Sequence, residues 1–151
     1  MILRSIYILL VITAWLPLRV QAVNNGVSFQ IPATEYNALV DLYANAGGIN
    51  WRNQTGWTNA NATSWEGAII SGVQYDGSGN VLVPGHVVTL VLGNNQLIGT
   101  LPNSLGNLSS LQSLYLPLNQ LTGSVPSTLG SLSQLQTLDL DHNQLTGNIP
   151  V

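Results

Sequence analysis

The chain has 151 residues, 45 % of them hydrophobic and only 6 % charged, with no cysteine. That length builds one domain with a buried core, and the missing thiols exclude disulfides, thiol catalysis and thiolate metal sites. Lysine is absent, and beyond Arg4 and Arg19 the lone cation Arg52 faces six acids. Such a surface cannot neutralise a row of phosphates, which excludes nucleic acid and an anionic membrane as partners.

The first element reads as an export signal over residues 1–22. Arg4 supplies a positive start, Ile6 to Leu16 is apolar apart from Thr13, and Pro17 breaks the run. Val20-Gln21-Ala22 then offers a small-residue cleavage site, so the mature chain is expected to begin at Val23. The apolar run is about half the roughly 20 residues that a membrane span needs. The mature chain is therefore expected outside the cell, secreted and not membrane-inserted, or at the cell surface if it is part of a longer protein.

A helix is predicted from Thr34 to Ala46. Tyr36, Leu39, Val40 and Tyr43 form an i, i+3, i+4, i+7 stripe, with Glu35 and Asp41 expected to point away from it. Pro32 and Thr34 are start signals, and Gly47-Gly48 stop it. Trp51, Trp57 and Trp65 follow among turn formers. They suit a small aromatic core better than a ligand cage. Ile69 to Tyr75, the turn Asp76-Gly77-Ser78-Gly79-Asn80 and Val81-Leu82-Val83 predict a hairpin.

From residue 87 the chain repeats every 24 residues, as units 87–110 and 111–134 and a partial unit 135–151. Leu90, Leu114 and Leu138 share a column; so do Leu92, Leu116 and Leu140. Asn95, Asn119 and Asn143 match, then Leu97, Leu121 and Leu145, then Gly99, Gly123 and Gly147, then Pro102, Pro126 and Pro150. Leucine at alternate positions predicts a short strand with one buried face. Stacked units pair these strands in parallel. Each Asn sits where the chain turns inward, and its amide can satisfy backbone groups of neighbouring turns. Leu105, Leu108, Leu129 and Leu132 are expected to fill the core from the outer side.

Period and pattern read as a leucine-rich repeat, and the chain resembles the plant-type family with its L-x-G-x-I-P segment. That segment stands here as Leu121-Thr122-Gly123-Ser124-Val125-Pro126 and Leu145-Thr146-Gly147-Asn148-Ile149-Pro150, and more loosely as Leu97-Ile98-Gly99-Thr100-Leu101-Pro102. Ala38 to Tyr43, Gly47 to Trp51, Gly56-Trp57 and Trp65-Glu66-Gly67 resemble the family's N-terminal cap in order and spacing. Where the plant cap carries a cysteine pair, this chain has Thr63 and Ile70, as in cysteine-free microbial members. Either Gly67-Ala68 or Gly72-Val73 answers to the cap's glycine step. The resemblance implies an α/β leucine-rich repeat solenoid with a short parallel β-sheet on its concave face. It also implies a helix- and Trp-containing cap over residues 23–86, and an interaction role.

Units two and three agree at 10 of 16 aligned residues from the first Leu to the Pro. Their strongest chemical differences are Tyr115 against Asp139, Pro117 against Asp141 and Leu118 against His142. With Thr89, Val91, Gly93 and Asn94 from unit one, and Ser113 and Thr137, these positions make the candidate ligand face. They are equally readable as tolerant surface. Asp139, Asp141 and His142 resemble half of an acid–base or metal set, but no nucleophile elbow or further ligand accompanies them. No enzyme activity, metal or cofactor is therefore expected. His86, just before the first repeat strand, reads as structural or exposed. Asn53, Asn61 and Asn107 head Asn-x-Ser/Thr sequons, which are glycan acceptors only in a eukaryotic secretory pathway.

The expected partner is a protein or peptide, or carbohydrate, with a role as a structural protein associated with wall or matrix polysaccharide as an alternative. The start of a larger cell-surface receptor or adhesin is a second alternative. Leu138, Leu140 and Ile149 have no following unit in this sequence to stack on them. That edge leads to an expectation of marginal stability, edge-to-edge self-association or a naturally longer chain.

Overall fold

The computed structural model describes residues 31–57, 65–72, 74–75 and 81–150. The export signal, the Asn61 sequon and the turn at 76–80 lie outside the described residues. The elements run in order as a helix α1 (Ala33–Asn45), then β1 (Ala68–Ser71), β2 (Gln74–Tyr75), β3 (Val81–Val83) and β4 (His86–Val91). The repeats continue with β5 (Ile98–Thr100), β6 (Ser113–Tyr115), β7 (Gln120–Ser124), β8 (Thr137–Asp139) and β9 (Gln144–Thr146).

The buried face of α1 is rotated from the predicted stripe. Tyr36 and Leu39 of that stripe are buried, together with Ala38, Leu42 and Ala46, while Val40 and Tyr43 are only partly so. Glu35 belongs to this face: 35, 38, 39 and 42 lie one helical turn apart. Asp41 is exposed as expected, but the expectation that Glu35 points away is corrected, since only 2 % of it is exposed. A carboxylate tolerates such burial when it is fully bonded. Here Val87 N–H donates to Glu35 Oε2 (2.8 Å), and His86 Nδ1 lies 2.6 Å from Glu35 Oε1. His86 is thus half-exposed and structural, clamping the helix to the first residues of β4.

Trp51, Trp57 and Trp65 are buried and form one aromatic cluster with Tyr36 and Tyr43. Trp51 Nε1–H donates to Ala46 O (2.8 Å) and Trp57 Nε1–H to Glu66 O (2.9 Å), so no indole donor is left buried without an acceptor in this pair. The three tryptophans are core, as their turn-rich setting suggested. Tyr43 donates to Gln54 Oε1 (2.6 Å), and burial pushes the hydroxyls of Tyr36 and Tyr43 above their ordinary value of 10.0.

The hairpin forms, but only between β2 and β3. β1 leaves it and pairs antiparallel with β4, placing Ala68 opposite Leu90 and Ser71 opposite His86. The main sheet then runs β1-β4-β6-β8, with β4, β6 and β8 parallel. Its register stacks the repeat columns: Thr89, Ser113 and Thr137 in one row, Leu90, Leu114 and Leu138 in the next, and Val91, Tyr115 and Asp139 in the third. The leucines face inward, because side chains alternate along a strand. Leu90 and Leu114 are fully buried, each burial contributing about 2 kcal/mol. A second parallel sheet, β5-β7-β9, forms after each inward turn. Gly99 and Gly123 lie within it and Gly147 directly follows it, with φ of 128°, 75° and 78°, a backbone region that suits glycine. Short 3-10 turns at Asn103–Asn107 and Ser127–Ser131 close the outer side. There Leu105, Leu108, Leu129 and Leu132 are buried, as the repeat columns required.

The asparagine column holds the turns together. Asn119 Oδ1 accepts from Asn95 N–H and Leu97 N–H, both at 3.0 Å, in the preceding unit. Its Nδ2 donates to Leu92 O (2.8 Å), Leu116 O (3.0 Å) and Pro117 O (3.2 Å). Asn143 repeats the arrangement onto Leu121 N–H, Leu116 O, Leu140 O and Asp141 O.

Two outcomes test these interactions. Asn119→Ala strands several buried backbone groups and should cost about 3 kcal/mol, more than Asn143→Ala, as read by urea unfolding. The folded chain holds the Tyr36 and Tyr43 protons longer than the unfolded chain does. Stability is therefore complete below about pH 10 and falls as pH rises beyond it. Unfolding midpoints measured from pH 8 to 11.5 should decline less steeply in Tyr43→Phe.

Candidate functional site

The open face of the main sheet carries the outward rows. Thr89, Ser113 and Thr137 form the first, and Val91, Tyr115 and Asp139 the second. The ladder continues past the strands, with Leu92 N–H donating to Tyr115 O (2.9 Å) and Asn94 N–H to Pro117 O (2.9 Å). In the next unit Leu116 N–H donates to Asp139 O (2.8 Å) and Leu118 N–H to Asp141 O (3.0 Å). Gly93, Pro117 and Asp141 therefore form a third row, and Asn94, Leu118 and His142 a fourth. The twelve candidate face residues thus align in four rows across the units, but Pro117, expected on the open face, is buried.

The chemistry across this surface is uneven. Val91 is 47 % exposed, Tyr115 42 % and Leu118 57 %, so units one and two present apolar side chains to solvent. The Tyr115 ring and Pro117 lie against Gly93, within 3.3 Å of where a side chain would begin there. Glycine at 93 thus leaves room for the tyrosine to lean back over unit one. Asp139 and Asp141 add negative charge at the far end of the face, but both are engaged locally. Asp139 Oδ1 accepts from Asp141 N–H (3.0 Å), and Asp141 Oδ2 lies 2.6 Å from His142 Nδ1. Among the described residues no group of three or more His, Cys, Asp or Glu side chains is arranged to hold a metal. A cavity of ≈460 Å³ opens over the last turn, where Leu138, Leu140 and Leu145 are only partly buried and Ile149 is exposed.

The fourth row is strained. Asn94, Leu118 and His142 have φ of 51°, 57° and 51°. Asparagine and histidine are enriched in this left-handed region; a branched apolar residue is an outlier there. Leu118 also gains little burial in exchange.

Sequence comparison had not singled out the edge between the N-terminal residues and the first repeat. Asn53 N–H donates to Asn95 Oδ1 (2.7 Å), Asn95 Nδ2 donates to Asn53 O (3.0 Å), and Arg52 N–H donates to Asn95 O (3.1 Å). On the other side of this junction Val91 N–H donates to Gly67 O (2.7 Å). Gly67, at φ 83°, lies so close to the Val91 carbonyl that no side chain fits. Between these two attachments is a cavity of ≈240 Å³ lined by Arg52, Asn53, Glu66, Gly67 and Val91–Asn95. The signal for it was the isolated Arg52, the sole cation beyond residue 22. Of the sequon residues, Asn53 and Asn107 are both exposed.

A stack of leucine-lined, asparagine-tied turns with an open parallel sheet defines a repeat protein. A leucine rich repeat family model matches residues 85–145, and the chain is similar to plant leucine-rich repeat ectodomains of known structure. No curated protein matches the chain. Solved structures do. The ectodomain of the receptor kinase SOBIR1 from Arabidopsis thaliana is 28 % identical with a TM-score of 0.62, covering 81 % of this chain and 60 % of its own. The BIR2 ectodomain from Arabidopsis thaliana is 29 % identical with a TM-score of 0.57, covering 77 % of this chain and 58 % of its own. The chain thus spans about 60 % of the length of these similar structures. Leucine-rich repeat ectodomains are in general non-catalytic. No helix among the described residues is long and apolar enough to cross a membrane.

The strain at Leu118 can be measured. Leu118→Asn should raise stability by about 1 kcal/mol, read by urea unfolding, because asparagine tolerates the left-handed backbone better.

Proposed function

We propose that this chain is a non-catalytic extracellular binding module that recognises a protein or peptide through the open, concave face of its sheet. Residues 1–22 act as the export signal, residues 23–86 as the N-terminal cap, and residues 87–151 as the first turns of a right-handed solenoid. The observation that carries the proposal is Leu118. A bulky apolar side chain is kept exposed at a strained backbone position, three residues past the exposed Tyr115 of the same unit. Strain of this kind persists where it serves a purpose other than stability. Aromatic and apolar anchors beside charged residues are the usual make-up of a protein-binding patch.

A second arrangement of the same function has support. The similar structures are receptor ectodomains longer than this chain. The module would then be the membrane-distal part of a larger cell-surface receptor or adhesin, and its ligand would be that protein's ligand. Wall polysaccharide remains the alternative ligand class, and edge-to-edge pairing through the last turn the alternative mode of association.

A displayed random-peptide library selected on the folded protein tests this function. Selected peptides should bind Tyr115→Ala and Leu118→Asn at least tenfold more weakly than wild type. They should bind Ile49→Ser, altered at an exposed apolar residue in the Gly48–Asn50 turn, as wild type does. Peptides indifferent to all three changes would place recognition elsewhere.

A further inference from the structure

We infer that the cavity between the N-terminal residues and the first repeat is a carboxylate-anchoring subsite, which fixes one acidic group of a peptide lying on the open face. This deepens the proposed function and rests on it.

The backbone supplies the first donor. Successive strand residues turn their N–H groups to opposite sides. Leu92 and Asn94 donate towards β6, to Tyr115 O and Pro117 O. Val91 donates the other way, to Gly67 O. Gly93 follows Val91 in this alternation, so its N–H faces the N-terminal side. It meets no acceptor among the described residues. The neighbouring attachments are closed: Gly67 ends its contact at Val91, and Arg52 N–H takes the Asn95 carbonyl. The sheet edge is left open at one residue, too short a gap for a strand to be added and enough for a single acceptor group.

The second donor is the lone cation. Arg52 lines the same cavity and forms no ion pair among the described residues. The guanidinium of a residue that lines this space and a backbone N–H turned towards it suit a carboxylate. The rest of the face does not: Asp139 and Asp141 repel an anion from its far end. Glu66 on the cavity rim disfavours a bare anion as well. It therefore selects for a carboxylate that arrives with other contacts, such as an apolar side chain reaching Val91 and Tyr115. The Asn53–Asn95 amide pair is already bonded to itself and holds the cavity floor in place. Nothing has to rearrange to admit the ligand.

The test is a titration of the ¹⁵N-labelled protein, following the Gly93 amide by NMR. N-acetylleucine carries an α-carboxylate, and N-acetylaspartyl-leucinamide carries a side-chain carboxylate. N-acetylleucinamide carries neither. The expected result is a saturable Gly93 shift with a carboxylate compound and none with N-acetylleucinamide. The better of the two carboxylates identifies the source, chain terminus or acidic side chain. Arg52→Gln, at an exposed side chain that forms no ion pair among the described residues, should weaken the binding at least tenfold. Glu66→Gln should tighten it about threefold. Equal shifts from the uncharged amide, or an unchanged affinity in Arg52→Gln, overturn the subsite. A stronger response to galacturonic acid than to either N-acetyl compound overturns the peptide assignment in favour of an acidic polysaccharide. Failure of the underlying function shows separately, as peptides from the library selection that do not depend on Tyr115.

Discussion

The whole array depends on one polar problem being solved once per turn. Each time the chain leaves the sheet it must bend inward, and bending exposes backbone N–H and C=O groups to an apolar interior. Left alone, each such group costs about 1–3 kcal/mol. The side chain of Asn119 meets five of them, three in its own and the preceding turn through Nδ2 and two in the preceding turn through Oδ1. Leucine burial supplies the larger favourable energy, but it is non-directional. The amide sets where one turn sits on the last. That is why the leucine columns can be filled by ordinary apolar contacts and still stack in register.

Once the inside is held in this way, the outside is released from structural duty. Val91, Tyr115 and Asp139 occupy the same row with three different chemistries, and the ladder beneath them does not change. The same holds at Asn94, Leu118 and His142, where the backbone is left-handed in every unit while the side chain varies. The backbone demand there favours asparagine. Leucine at 118 is therefore a departure from what the framework asks, and a departure towards exposed apolar surface is what a binding face requires. Stability and recognition pull this position in opposite directions.

Much of this was legible in the sequence because repetition turns a three-dimensional question into a comparison of columns. The 24-residue period by itself places Leu114 inward, Tyr115 outward and Asn119 at a turn. The non-repeating part gave no such help. The helix face is rotated by about one residue step from the expected stripe: Tyr36 and Leu39 are buried as that stripe requires, but Val40 and Tyr43 give way to Ala38 and Leu42. Glu35 was read as exposed because its partners, His86 and the Val87 N–H, lie some 50 residues away and only the fold brings them near. The hairpin was seen, yet β1 pairs with β4, since the first repeat strand needs a neighbour on its free side.

That neighbour explains why the distinctive chemistry gathers at the junction. Between repeats, each turn meets a copy of itself and every donor finds the acceptor that the copy provides. The first repeat instead meets Arg52, Asn53 and Gly67, residues from two places in an irregular segment. They reproduce most of what a preceding repeat would supply: Asn53 answers Asn95 with an N–H and a carbonyl, and Gly67 O takes the Val91 N–H. The imitation is incomplete at Gly93. A gap of this kind cannot recur along the array, because repetition would close it. A position that binds one group, in one orientation, is accordingly most accessible where the repeat begins, and the only cation of the described chain stands beside it.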